Sequence, residues 1–177
     1  MAMTLITTNT SSGAATSDFT SSIDSTYKLY IFKYYDVNPA TDNQNFMFQG
    51  NVAGQSGFNE NITSTYLEAT MDEIDDDERL GYDTDRDQAG GTGYQVLCGS
   101  VGNGGDESAA GELLLFNPSD TTYMTNFYAV SQGYNGGNYS TNNYVTGYFN
   151  VTGAIDEISF KFASGNMDGT IKMYGVS

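Results

Sequence analysis

A two-residue rhythm constrains the fold more than any other feature of the chain. In Ile158-Ser-Phe-Lys-Phe162, apolar Ile158, Phe160 and Phe162 alternate with Ser159 and Lys161, the signature of a strand with one buried face. Thr170 to Tyr174 repeats the pattern after the turn-rich Ser164–Gly169, predicting a C-terminal hairpin. Lys28–Tyr35 carries Leu29 and Ile31 on one face and Tyr30, Phe32 and Tyr34 on the other, which predicts a central strand. Phe46–Phe48, Tyr94–Leu97, Glu112–Phe116, Tyr123–Val130 and Tyr144–Val151 read as further strands, the last with Val145, Phe149 and Val151 inward and Tyr144, Thr146 and Tyr148 outward.

Helical spacing persists nowhere. Thr65–Glu68 fits a capping box, but Asp72/Asp76 and Glu73/Asp77 are like-charge pairs four apart, so the segment is read as a strand running into an acidic loop. Gly, Ser, Thr and Asn supply 73 of the 177 residues, which suits many tight turns. No fixed-period repeat is visible. These patterns predict an all-β fold, an antiparallel two-sheet sandwich of jelly-roll type.

Residues 1–22 are set apart as an N-terminal arm and residues 23–177 as a single β-sandwich domain. The stretch from Thr7 to Ser22 is almost entirely small residues. It suits either a loose leader or an arm that orders on a neighbouring subunit, and the expectation is the arm, with Leu5, Ile6 and Phe19 as its anchors. The start of the chain has neither a basic segment nor a long apolar run. The expectation is therefore synthesis in the cytoplasm without a signal peptide, and no segment spans a membrane as a helix. Four N-glycosylation-type sequons, at Asn9, Asn61, Asn138 and Asn150, are then chance matches.

Charge and composition exclude several functions. Twenty-two acids against six Lys and Arg leave a net charge of −16, which opposes binding to nucleic acid or to an anionic membrane. There is no histidine and only one cysteine, Cys98, so His-based triads, Cys-rich zinc sites and internal disulfides are out of reach. Glycine runs at Gly90–Gly93 and Gly99–Gly105 lack the Lys-Ser/Thr of a phosphate loop. Acid pairs are inevitable among so many carboxylates and do not mark a glycosidase. No catalytic residue and no cofactor is expected; the chain does not read as an enzyme.

Two segments stand out as candidate sites. Glu68 to Asp87 holds ten carboxylates with only Arg79 and Arg86 in opposition, a local balance of −8. Within it Asp83, Asp85 and Asp87 alternate as at the start of a calcium loop, although Gln88 and Tyr94 stand where an EF-hand needs Gly and Glu. A solvated acidic loop is the preferred reading of the run, ahead of a calcium site. Ser131–Tyr148 interleaves Tyr134, Tyr139, Tyr144 and Tyr148 with amides, a composition suited to a subunit interface, plain surface or glycan contact.

Several longer segments carry a resemblance. Asp24–Phe32, Asn38–Gln49, Tyr82–Gly99 and above all Ile158–Gly175 resemble small virion structural proteins of marine tailed phages, over roughly residues 20–177. The resemblance implies a capsid decoration or fibre protein and brings no catalytic residues. The expectation is an outer head decoration (cement) protein on the virion surface, bound to the major capsid protein or other virion proteins and forming a homo-oligomer. The alternative is a fibre or tail-associated receptor-binding module that recognises a glycan through loops such as Ser131–Asn143.

Overall fold

The computed structural model describes residues 2–177. Its strands are β1 (Met3–Ala14), β2 (Ser17–Phe19), β3 (Leu29–Pro39), β4 (Gln44–Val52), β5 (Ile62–Asp72), β6 (Glu78–Tyr82), β7 (Ala89–Gly91), β8 (Gln95–Val101), β9 (Ala109–Phe116), β10 (Asn126–Tyr134), β11 (Tyr139–Phe149), β12 (Ile155–Phe162) and β13 (Met167–Val176). Every strand pair is antiparallel, and the described residues contain no helix.

Two sheets form a sandwich. The four-stranded sheet runs β2-β12-β4-β8, and the nine-stranded sheet begins β1-β13-β3-β9. The consecutive pairs β1/β2, β3/β4, β8/β9 and β12/β13 each place one strand in either sheet, which is the topology of a jelly roll. Two insertions extend only one layer. The strands β10 and β11, inserted between β9 and β12, continue the larger sheet from β9; β11 then pairs with β5, which carries β6 and β7 from the insertion between β4 and β8.

The core lies between the sheets and is rich in phenylalanine. Phe46 stacks on Phe160 at 5.9 Å, Phe32 and Phe19 meet edge to face at 5.2 Å, and Phe48 meets Phe127 at 5.0 Å. The two buried phenols Tyr34 and Tyr66 are paired: the Tyr34 hydroxyl with Ser131, the Tyr66 hydroxyl donating to Asn143. Burial pushes both phenols well above their ordinary pKa.

Three expectations need correction. The strands β12 and β13 do not form a hairpin, because they belong to opposite sheets. Ile158 and Phe160 in one and Ile171 and Met173 in the other enter the same core from its two sides. Residues 2–22, the described part of the arm, are not set apart from the sandwich: β1 pairs with β13 and β2 with β12, and Thr- and Ser-rich sequence is compatible with a strand whose outer side meets water. Ser131–Asn143 is not a loop either, since β10 and β11 pair up to Tyr134↔Ser140 and only Asn135–Asn138 turns the chain. The segment beginning at Thr65 is indeed a strand, running into the turn at 73–77.

Candidate functional site

The larger sheet has one face on the core and one on solvent, and its solvent face is unusually apolar. Strand register puts Tyr174, Ile31, Leu114, Tyr128, Thr146 and Thr65 side by side in one row across it. The adjacent row holds Lys172, Lys33, Glu112, Val130, Tyr144, Leu67 and Tyr82. Among the exposed large apolar side chains, Met3, Leu5, Tyr35, Leu67, Met71, Leu80, Tyr82, Phe116 and Tyr144 all stand on this face. The others, Ile74, Tyr123 and Met124, lie outside the strands. Leu80 is 79% exposed at the sheet's far edge, a position that gains nothing from the chain's own core.

Scattered exposed apolar residues need no explanation, whereas a contiguous face of them marks an interaction surface. The insertions build much of it, because Leu67, Met71, Leu80, Tyr82 and Tyr144 belong to β5, β6 and β11. Its charge also differs from the rest of the molecule. In the middle stand Lys33, Lys172 and Glu112, a balance of +1 on a chain of −16. Lys33 donates to Glu112 at 2.8 Å, and that hydrogen bond raises the Lys33 pKa. The Lys172 ammonium lies 5.7 Å from the Tyr35 ring centroid.

Two shallow hollows dimple the face where small residues meet tyrosine. One, of about 350 Å³, is lined by Thr63, Thr65, Asn126, Thr146 and Tyr148. The second, of about 330 Å³, lies among Lys33, Tyr35, Ala110, Glu112 and Gln132. In the second, Lys33 and Glu112 are joined to each other at 2.8 Å.

The tyrosines singled out in sequence divide into two pairs. Tyr144 and Tyr148 belong to the outer face. Tyr139 donates to Asp77 at 2.8 Å, and that acceptor raises its pKa. The Tyr134 hydroxyl donates to Asn138 at 3.2 Å, and nearby Glu73 raises its pKa. Tyr139 thereby braces the acidic turn at 73–77. Leu5 is exposed on the outer face, Ile6 sits at a bulge in β1 and packs on the core, and Phe19 is buried in the core, where it cannot anchor a neighbour.

The acidic run is organised by its own arginine. Arg86 is folded beneath the overhanging β5, where its Nη1 donates to Glu68 at 2.6 Å and to Asp83 at 3.0 Å, and its Nη2 donates to Ser100 at 3.0 Å. The guanidinium also lies 5.8 Å from the Tyr66 ring centroid. Gly99 clears the space, since a Cβ there would stand 2.5 Å from the guanidinium carbon. Asp83 is thus committed to Arg86 and to the Asp85 amide, and Asp87 accepts from the Tyr82 hydroxyl. Among the described residues no three Asp, Glu, Cys or His side chains converge as metal ligands, so Asp83, Asp85 and Asp87 are not brought together as a calcium site. Sequence spacing showed the alternating acids but not the cation placed among them.

Cys98 is fully buried, and desolvation pushes its thiol up to about 12. In comparisons with protein families, curated proteins and solved structures, the chain matches none.

Proposed function

We propose that this chain is a virion structural protein that decorates the outside of a phage head, with the apolar face of its larger sheet laid against the capsid. The observation that carries the proposal is the division of the surface: one broad, nearly neutral apolar face on an otherwise strongly acidic molecule. Apolar area supplies the attraction, while the acidic remainder keeps decorated particles apart in solution. The resemblance of Asp24–Phe32, Asn38–Gln49, Tyr82–Gly99 and Ile158–Gly175 to small virion proteins of marine tailed phages points the same way. A rigid sandwich fits a task of attachment.

Immunogold electron microscopy of intact particles tests the placement. Gold spread over heads supports decoration; gold confined to tails or fibre tips overturns it. Loading of the Leu67→Lys and Leu80→Lys variants onto undecorated heads tests the face itself, and full occupancy by both would remove this face from the mechanism.

One feature favours a second function, a fibre-borne glycan-binding module. The hollow of about 350 Å³ sets the Tyr148 ring beside the Thr63, Thr65 and Thr146 hydroxyls and the Asn126 amide, groups suited to stacking on and hydrogen-bonding a sugar. Saturable binding on a glycan array, lost in Tyr148→Ala, would favour that function over decoration.

A further inference from the structure

We infer that the chain self-associates through β1, whose free edge pairs antiparallel with β1 of a second copy. The inference does not depend on where the protein is used. It rests on a comparison of the sheet edges, because an unpaired strand edge is a template for pairing that soluble proteins ordinarily blunt. In the four-stranded sheet, β2 is only three residues long, and β8 is buried, with Val101 bridged to Asn135. At one end of the larger sheet, β6 is five residues long and carries Glu78 and Arg79. At the other end, β1 runs for 12 residues, pairs only with β13 among the described residues, and includes no Lys, Arg, Asp, Glu or Pro; its register shifts at Leu5/Thr7 and Ser11/Ala14 leave Thr7–Ser11 as the regular stretch of the edge.

Charge selects a second copy as the occupant. Two chains of −16 repel wherever acids meet, and β1 offers a long backbone edge without a formal charge. The side chains along it are also self-complementary: Thr4, Thr7, Thr8 and Thr10 are small, β-compatible residues, and facing threonines hydrogen-bond across strands. Thr10 already meets Thr170 in this way at 3.4 Å within the chain. Pairing of like edges closes at two copies, whereas pairing with a different edge would propagate, and the other edges are blunted.

Antiparallel pairing of identical edges requires a two-fold axis perpendicular to the sheet. That axis leaves the apolar faces of both copies on the same side of the joined sheet. Met3 and Leu5, exposed on that face beside Val176 and Tyr174, then stand on the same side of the joined sheet as both apolar faces. The dimer presents a doubled docking surface, whose two halves engage a partner with avidity.

Sedimentation velocity of the full chain is the first test, with a mass of twice 19.1 kDa expected. Thr8→Glu and, separately, Thr10→Lys place like charges along the shared edge; each should weaken the dimer about a hundredfold, while at concentrations low enough to leave the parent monomeric each variant's melting temperature should match the parent's. Single cysteines at Thr4, Thr8, Thr10 and Ser12 should give an oxidised cross-link that peaks at one position and falls off on either side. The native Cys98 stays silent because it is buried. A monomer at micromolar concentration, a trimer, a dimer indifferent to both charges, or a flat cross-linking profile would overturn the inference.

Discussion

Replacing Arg86 with Met tests how the overhang of the larger sheet is sealed. Glu68 is 5% exposed and points toward the inner side of β5, beyond the cover of the smaller sheet. Its principal partner is Arg86 at 2.6 Å; Arg79 is 3.6 Å away, with its side chain half exposed. Arg86→Met keeps most of the volume but leaves Glu68, and Asp83 beside it, without the cation. Removing one partner of a buried pair costs about 3–5 kcal/mol. The Arg86 side chain retains 18% exposure, so water enters partway and the lower figure, about 3 kcal/mol, applies. For a chain of this length that is a fall of about 6–12 °C in Tm. Thermal and urea unfolding measure it directly. Glu68→Gln in the same molecule removes the stranded charge and should recover at least half the loss, the remainder belonging to Asp83. A loss below about 1 kcal/mol in Arg86→Met, or a double variant no more stable than the single one, would refute the ion pair as the seal.

Gly99→Ala should destabilise by about 1–3 kcal/mol, because the new methyl collides with the Arg86 guanidinium; Gly99→Ala in the Arg86→Met background should cost clearly less. Cys98 should resist Ellman's reagent at pH 8 in the native state and react within minutes in denaturant, since burial pushes the thiol up to about 12. Leu67→Lys and Leu80→Lys should leave unfolding free energy within about 0.5 kcal/mol of the parent while abolishing attachment to heads. Asp24 is held low by the Thr26 hydroxyl and amide, and Asp120 by the Tyr123 and Thr122 amides; their stabilising contributions are present above the ordinary carboxylate pKa and lost as pH falls through the depressed folded values. The stability gap between the parent and Asp120→Ala should therefore close on acidification. Asp156, raised by burial, acts with the opposite sign, destabilising at neutral pH and ceasing to do so once protonated.

The layer arrangement was legible in sequence because period-two alternation reports a strand directly. What alternation cannot report is the strand's partner. Ile158–Phe162 and Thr170–Tyr174 look like two arms of a hairpin, yet a pair facing each other across a core carries the same pattern. Nor does alternation say which of two faces is buried. On β5, Tyr66 and Glu68 turn inward while Leu67 and Met71 meet solvent, an inversion that depends on Arg86, eighteen positions after Glu68. The clearest clue to the outer face was present in Leu29 and Ile31, apolar on the side opposite Tyr30, Phe32 and Tyr34. That doubling indicated a central strand, which β3 is. It also reflected an apolar face that the chain itself leaves uncovered, and only strand register joins it to Leu114, Tyr128 and Tyr144.

The two insertions explain why stability and attachment meet at β5. An eight-stranded jelly roll closes its core with two sheets of four. Lengthening one sheet with β10, β11, β5 and β6 adds outer surface without adding a strand beneath the far end. The uncovered inner side must then be sealed by the segment between β6 and β8, and a polar seal built on Arg86 serves there in place of a second aromatic layer. Leu67 and Glu68 are neighbours in sequence but lie on opposite sides of the sheet, one facing solvent and the other facing that seal. Loss of Arg86 should consequently loosen the platform that presents Leu67, Tyr82 and Tyr144, whereas loss of Leu67 removes a contact and leaves the platform intact. Attachment weakened by Arg86→Met should return with Glu68→Gln, and attachment weakened by Leu67→Lys should not.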